Sequence, residues 1–254
     1  MPEPLKNRFT FELGTPEGTL RANLAIPAEP MRLSDLSRLV MPLDEQIVAL
    51  GVKKHLPTLG AVSCKKGCDS CCYQLVPISP PEAFMIHDLV AAMPEARQEE
   101  VLTRVVDAEA TLESFGLDEA AFAEMSNDNE LRKLLIAWHQ QGVACPFLEN
   151  GACTAYASRP SGCREYLVTS PAENCSKLGE ATVRRLPVSI RMSLALSRVA
   201  ARLLGGDPTI FPLTLAIAWA EAHEEESQRR FDGFMLVNML LEELSGGKPA
   251  DKPS

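Results

Sequence analysis

The clustering of the cysteines constrains the fold of this chain more than any other feature of its sequence. All eight cysteines lie between residues 64 and 175, in two islands. The first island contains Cys64, Cys68, Cys71 and Cys72, and the second contains Cys145, Cys153, Cys163 and Cys175. Buried structural cysteines would be scattered through the helices, whereas thiols concentrated in polar loops rich in Pro and Gly are typical of metal ligands. All eight are therefore predicted to bind metal.

In the first island, four thiols lie within nine residues. Such short spacings let a tight turn wrap the backbone around one ion or cluster. Cys71 and Cys72 are adjacent, and neighbouring side chains in extended backbone point to opposite faces. The two are therefore predicted to take different roles: one binds the metal, and the other binds a second ion or packs.

In the second island, Asn150-Gly151 is a strong signal for the turn of a β-hairpin. A two-residue loop would pair Leu148 with Cys153 and put Cys145 on the opposite face. A three-residue loop would instead pair Phe147 with Cys153, so that Cys145 and Cys153 share a face. If both thiols bind one centre, the three-residue loop is predicted.

Two arginines, Arg159 and Arg164, flank the segment Pro160-Ser161-Gly162-Cys163. The proline and the glycine of this segment predict a sharp turn that presents the Cys163 thiol. Arginine donates several N–H groups without losing its charge, so both arginines are predicted to contact cluster sulfurs or another anionic ligand. A surface ion pair with Glu149 or Glu165 is the alternative.

The hydrophobic pattern predicts a mainly α fold: a helical domain around a small irregular Cys-rich centre, with an N-terminal β-hairpin over residues 9–26. A helix is predicted from residue 34, with Pro42 breaking or restarting it. Ser79 is predicted to cap the next helix, with Glu82 as its capping-box partner. Further helices are predicted over residues 95–114, 118–141, 188–204, 208–226 and 228–244.

With 254 residues, the chain is long for one domain and short for two. Residues 1–246 are predicted to form a single domain. Its Cys-cluster region covers about 60–180 and its C-terminal helices about 187–245. Residues 247–254 are poor in apolar side chains and are predicted to be a disordered tail.

The charge and hydropathy of the chain exclude several partners. Its 34 acidic against 25 basic residues argue against binding to nucleic acid or to an anionic membrane. Its most apolar stretch, residues 210–220, is about half of the ~20 residues that span a bilayer. The N-terminus lacks the basic and apolar regions of a secretory signal, so a cytoplasmic protein without disulfides is predicted.

The combined pattern CxxxCxxCC followed by CPFL…G.C..Y..RP..CR resembles the YkgJ-like cysteine-cluster family, a bacterial zinc- or iron-chelating domain of CxxCxxCC type. The resemblance covers Cys64 to Tyr166 and departs from the family pattern in having three residues between Cys64 and Cys68. It implies a cysteine-ligated zinc or iron–sulfur centre in a small bacterial protein. Flagellin lysine N-methylases carry a similar cluster, and that distant similarity would imply S-adenosylmethionine as a cofactor.

These observations predict a metal-binding protein whose two islands converge on one or two centres. Cysteine-only ligation suits zinc and iron–sulfur clusters alike, and a ligand number above that of one zinc site favours iron–sulfur. Three functions remain open. In the first, the metal is structural or is delivered to a partner. In the second, the protein is an iron–sulfur enzyme, either a redox protein or a methyltransferase, and in the third, zinc stabilises a module that binds a protein partner. No catalytic residue is predicted.

Overall fold

A computed structural model of the chain describes residues 6–117, 122 and 128–246. The helices of the described residues are α1 (Leu33–Leu59), α2 (Pro80–Ala91), α3 (Glu95–Ser114), α4 (Asp128–Gln140), α5 (Ser161–Glu165), α6 (Met192–Leu204), α7 (Ala216–Ala222), α8 (Glu224–Gln228) and α9 (Gly233–Leu244). The strands are β1 (Lys6–Thr15), β2 (Gly18–Pro27), β3 (Pro77–Ile78), β4 (Leu148–Glu149), β5 (Ala152–Cys153) and β6 (Phe211–Pro212). The predicted mainly α fold with an N-terminal hairpin is confirmed.

The N-terminal hairpin pairs β1 with β2 in antiparallel register, from Lys6 opposite Pro27 to Thr15 opposite Gly18. The Thr15 hydroxyl closes the turn: it accepts a hydrogen bond from the Gly18 N–H and donates one to the Gly18 carbonyl oxygen. Alternate residues of β2 are buried, as expected for a strand with one face on the core. That face packs on α1 and α9, so the hairpin covers one side of the helices.

The prediction that Pro42 breaks the first helix is wrong, because α1 runs without interruption from Leu33 to Leu59. A proline inside a helix removes one backbone hydrogen bond and crowds the preceding turn. The helix is nevertheless held on both sides of the proline by buried side chains, namely Leu36, Val40, Leu43 and Ile47. Their packing outweighs the local cost, since tertiary context overrides intrinsic propensity.

The helices of the main core surround α2. Helix α2 packs against α1, α6 and α7, and α9 packs against α6. The predicted start of α2 is confirmed: Ser79 precedes the helix, and its N–H donates to the Glu82 carboxylate. A smaller apolar cluster, centred on the buried Trp138 of α4 and Leu112 of α3, lies beside the main core. Cys145 and Cys153 pack against the main core, and Cys72 and Cys145 line a small cavity with Trp138 of the smaller cluster.

Several predicted helices begin later than expected. The helix predicted over 188–204 starts at Met192, whose N–H donates to the carboxylate of Glu165 rather than to a local cap. The helix predicted over 208–226 starts at Ala216, because Phe211–Pro212 forms a short strand with Pro77–Ile78. Both starts depend on contacts between distant segments, which local patterns do not contain.

The helix predicted over 228–244 also begins late, at Gly233, after its cap residue Asp232. The helix predicted over 208–226 is divided at His223 into α7 and α8. The helix predicted over 95–114 is confirmed by α3. In the predicted helix 118–141 the structure contains α4, while residues 118–121 and 123–127 lie outside the described residues, as does the predicted tail 247–254. No helix in the described ranges combines the length and the apolarity needed to cross a membrane.

Candidate metal centre

The first cysteine island is a loop followed by a single helical turn. The Cys68 N–H donates to the Lys65 carbonyl oxygen, and Gly67 between them has a φ of 83°, a backbone conformation that favours glycine. Cys71 and Cys72 lie in a 3₁₀ helix over Ser70–Tyr73. The loop is joined to the second island by a hydrogen bond of 2.7 Å from the Cys145 N–H to the Cys72 carbonyl oxygen.

The hairpin of the second island has the two-residue loop, so the predicted three-residue loop is wrong. Leu148 pairs with Cys153, and Asn150 and Gly151 have φ angles of 48° and 72°, as a two-residue type I′ turn requires. Cys145 and Cys153 nevertheless interact electrostatically. The strand begins only at Leu148, whose N–H donates to the Cys145 carbonyl oxygen, so the alternation of the strand does not extend back to Cys145.

The expected sharp turn at Cys163 is a short helix, α5, that begins immediately after Pro160. Cys163 is the third residue of this helix. Gly162 is needed for close packing there, because a Cβ atom on it would lie 2.6 Å from the carbonyl oxygen of Pro77. The segment before α2 and the segment that carries Cys163 are thus in direct contact.

Replacing Gly162 with alanine is expected to lower the free energy of unfolding by about 1–3 kcal/mol, because the added methyl group must displace backbone. Urea unfolding measures the change. Gly14→Ala is the control, since a Cβ atom there has no atom within 4 Å, and its effect should stay within about 0.5 kcal/mol. Equal effects of the two substitutions would contradict the close approach at Gly162.

Each of the eight thiols interacts electrostatically with at least one other. Apart from those that involve Cys71, these interactions fall into two groups. Cys64, Cys68 and Cys175 form the first group, and Cys72, Cys145, Cys153 and Cys163 form the second. Cys71 interacts with members of both groups. Cys175, from the second island, thus joins the thiols of the first island.

Burial dominates the acidity of most of these thiols. It raises the pKa of Cys145 to about 12 and that of Cys175 to about 11, and neighbouring thiols act in the same direction. It also raises the pKa of Cys64, Cys153 and Cys163. Without a bound cation, these thiols therefore hold their protons at neutral pH.

Cys71 is the exception among the thiols. The hydrogen bond from the Cys72 thiol lowers the pKa of Cys71, and the positive charge of Arg159 acts in the same direction against burial. The same hydrogen bond raises the pKa of Cys72, as does burial. The hydrogen bond between the two neighbouring thiols thus favours the thiolate at Cys71 over that at Cys72.

The two predicted arginines lie in different surroundings. The Arg159 guanidinium stacks 3.8 Å from the ring centroid of Tyr156 and acts electrostatically on Cys153 and Cys163. The Arg164 side chain is 5% exposed and is turned towards α1, where it pairs with Glu45 and donates to the carbonyl oxygens of residues 157 and 159. Arg159 is thus beside the thiols, and Arg164 is engaged with the protein.

The acidic residues offered as alternative partners of these arginines have other contacts. Glu149 pairs with Arg97 and Arg104, and Glu165 pairs with Arg191. Tyr156, on which Arg159 stacks, is 61% exposed. The surface beside the cysteines therefore carries an exposed aromatic ring stacked with a cation.

Sequence reasoning missed a buried carboxyl group next to the cysteine region. Asp44 of α1 is 1% exposed, and neither of its oxygens has a hydrogen-bond partner within the described part of the chain. It lines a cavity about the size of one water molecule, together with Ser37, Glu82, Arg159 and Ser161. Burial raises the pKa of Asp44 to about 8, and the charges of Glu165 and Glu82 add to the shift. The sequence feature that could have indicated this buried group is an acidic residue between the apolar positions of α1.

The donor set fits a thiolate-bound metal. Thiolates are the ligands of structural zinc and of iron–sulfur clusters, and eight of them suffice for two four-thiolate sites. Among the described residues, no three Cys, His, Asp or Glu side chains stand in an arrangement that would hold a metal ion as they are. Binding therefore requires the thiols to move closer together around the ion.

Comparison with known families supports the same chemistry. Residues 63–180 match the model of the CxxCxxCC family, described as "Putative zinc- or iron-chelating domain". The matched segment contains both cysteine islands. Neither the curated proteins nor the solved structures contain a match to this chain. The match supports metal binding by the cysteine-cluster region, while the YkgJ-like name and the similarity to methylases remain predictions.

Proposed function

We propose that the chain is a metal-binding protein in which the cysteines of residues 63–180 form two four-thiolate centres, for zinc ions or for iron–sulfur clusters. The first centre would be held by Cys64, Cys68, Cys71 and Cys175, and the second by Cys72, Cys145, Cys153 and Cys163. Two contacts support this division: the turn that carries Cys71 packs against the segment 172–176 that carries Cys175, and the Cys145 N–H donates to the Cys72 carbonyl oxygen at 2.7 Å. The division assigns Cys71 and Cys72 to different centres.

The surroundings of the thiols suit such centres. Four thiolates leave a net charge of about −2 on either a zinc ion or a [4Fe–4S]²⁺ cluster. Arg159 supplies a positive charge beside the second group, and the Val168 N–H points at the Cys64 sulfur, 3.4 Å away. Contacts of this kind tune thiolate ligands and restrict their orientation. Arg159 is therefore the arginine that we assign to the centre.

Two groups of four thiols suit zinc as well as iron–sulfur clusters. Eight ligands exceed one zinc site, but two sites accommodate all eight with either metal. A bound metal supplies a cross-link between the two loops in either case, and a cluster also supplies redox chemistry. The cavity that Cys72 and Cys145 line has room for about one water molecule, so it gives no support to a pocket for S-adenosylmethionine.

The experiment that tests this proposal is anaerobic purification, followed by counting iron, zinc and acid-labile sulfide per chain. We expect either about two zinc ions in a colourless protein or about eight iron and eight sulfide with a broad visible band. Protein that contains neither metal, and that takes up neither when its reduced thiols are supplied with them, would overturn the proposal.

The response to a chelator then separates the remaining roles. If the metal is a structural staple, its removal should unfold the cysteine-cluster region, because binding free energy contributes to folding free energy. If the metal is delivered to a partner, it should exchange to the chelator while the fold is retained. Circular dichroism during chelation distinguishes the two roles.

A further inference from the structure

The carboxylate of Glu82 is buried and uses both of its oxygens. Its Oε2 accepts hydrogen bonds from the N–H and the hydroxyl of Ser79, at 2.9 and 2.7 Å. Its Oε1 accepts hydrogen bonds from the N–H and the hydroxyl of Ser161, both at 2.7 Å. Glu82 is 1% exposed. Four donors thus offset the cost of burying this charge.

Only half of this arrangement serves the helix to which Glu82 belongs. The bonds to Ser79 form the capping box of α2. The bonds to Ser161 reach a residue 79 positions further along the chain, the first residue of α5. Helix α5 has five residues, too few to be stable without tertiary contacts. The position of its first turn therefore depends on Glu82.

The thiol of Cys163 is attached to the same turn, two residues after Ser161. Its largest interactions with other thiols are with Cys145, Cys71 and Cys153. An anchor at Ser161 fixes where the Cys163 Cα lies relative to those thiols, because the intervening residue, Gly162, is itself packed against Pro77. The ligand that α5 carries is thus located by a residue that has no interaction with the metal.

We propose that Glu82 is a positioning residue for the second thiolate centre, which it serves by holding Ser161 and hence Cys163 in place. This inference depends on the proposed function. A ligand held in position before the metal arrives loses little freedom on binding, so the affinity is higher than for a mobile loop. Contacts outside the ligand shell commonly change metal affinity by about 10–100-fold when they are removed.

Two serines provide a matched test. Ser79→Ala and Ser161→Ala each remove one hydroxyl that donates to Glu82 at 2.7 Å, and both serines are buried. Both variants are expected to lose similar stability without metal. Only Ser161→Ala is expected to weaken Zn²⁺ binding at the second centre, by about 10-fold. Zn²⁺ is the probe because it binds four thiolates whichever metal is resident.

Glu82→Gln is the second variant, and it should weaken the same site by about 10–100-fold, because an amide NH₂ group replaces an acceptor that receives two donors. Competition with a chromophoric chelator measures both affinities, and the thiolate bands of bound Co²⁺ report the geometry. The first centre should keep its affinity in all three variants.

The outcomes separate the two proposals. Equal Zn²⁺ affinities of Ser79→Ala and Ser161→Ala at the second centre would overturn the positioning role while leaving the proposed function intact. Wild-type protein whose reduced thiols take up neither Zn²⁺ nor iron and sulfide would overturn both. A 10-fold loss confined to Ser161→Ala and Glu82→Gln supports the role of Glu82.

Discussion

Replacing Asp44 with asparagine is expected to stabilise the folded protein, and the gain should grow as the pH rises. Both carboxyl oxygens of Asp44 are buried without a hydrogen-bond partner among the described residues, and Glu165 and Glu82 add negative charge nearby. The folded protein therefore accommodates the protonated form and disfavours the charged form. Asparagine has nearly the same shape and carries no charge at any pH.

The pKa of Asp44 sets the pH range of this effect. Its value rises from 3.8 for an ordinary aspartate to about 8 in the folded protein. Below about pH 4 the carboxyl is protonated in the folded and unfolded states alike, so wild type and variant differ little. Between about pH 4 and 8 the unfolded state loses the proton first, and wild-type stability falls. Above pH 8 the free energy of unfolding of the variant should exceed that of wild type by on the order of 5 kcal/mol.

Urea unfolding of wild type and variant between pH 4 and 9 measures the difference. Asp88→Asn is the control, because Asp88 pairs with Arg32 and Arg38 at 2.8 and 2.9 Å. Burial acts in the opposite direction, but these two arginines lower the pKa of Asp88. That substitution should destabilise the protein at neutral pH, and the loss should shrink as the pH falls. Stability curves of Asp44→Asn and wild type that run parallel would contradict the prediction.

Single cysteine substitutions are expected to remove the metal from one centre and leave the other. Cys175→Ser should cost the ion or cluster of the first group, and Cys153→Ser that of the second, because a hydroxyl does not replace a thiolate ligand of zinc or iron–sulfur. Binding to a structural four-thiolate zinc site contributes about 10–16 kcal/mol, so the loss of metal from the affected site should be nearly complete. Metal analysis of the purified variants measures it.

Double variants supply the controls. Combining Cys175→Ser with Cys64→Ser, within one group, should cost no more metal than either substitution alone. Combining Cys175→Ser with Cys153→Ser, across the groups, should remove all of it. Complete loss of metal from every single variant would instead indicate one centre that uses all the thiols, and would contradict the division into two groups.

The parts of the fold that could be predicted from the sequence are those whose causes are local. The capping box of α2 lies within four consecutive residues, and the structure contains it as predicted. The N-terminal hairpin follows from alternation on either side of a turn. The cysteine islands could be recognised for the same reason, because the short spacing of the cysteines is itself a local property of the sequence.

The parts that could not be predicted depend on contacts between distant segments. Helix α1 continues through Pro42 because its buried face is held by other elements. Arg164 turns towards Glu45, more than one hundred positions earlier in the chain. The second oxygen of Glu82 binds Ser161, whereas the sequence indicated only the first. Polar side chains that join remote segments leave no periodic pattern in a sequence.

The place of Cys175 beside Cys64 and Cys68 gives the two groups a nested order along the chain. An ion held by the first group would close a long loop from Cys64 to Cys175, and the second group would close the shorter loop from Cys72 to Cys163 inside it. The entropy lost on closing a loop depends on how far apart its ends were before. In the unfolded chain, the ion that binds first would draw the shared segments together, so the second would find its ligands already near one another. On the proposed division, loading of the two sites during folding would be cooperative through the chain alone, without any atom common to both.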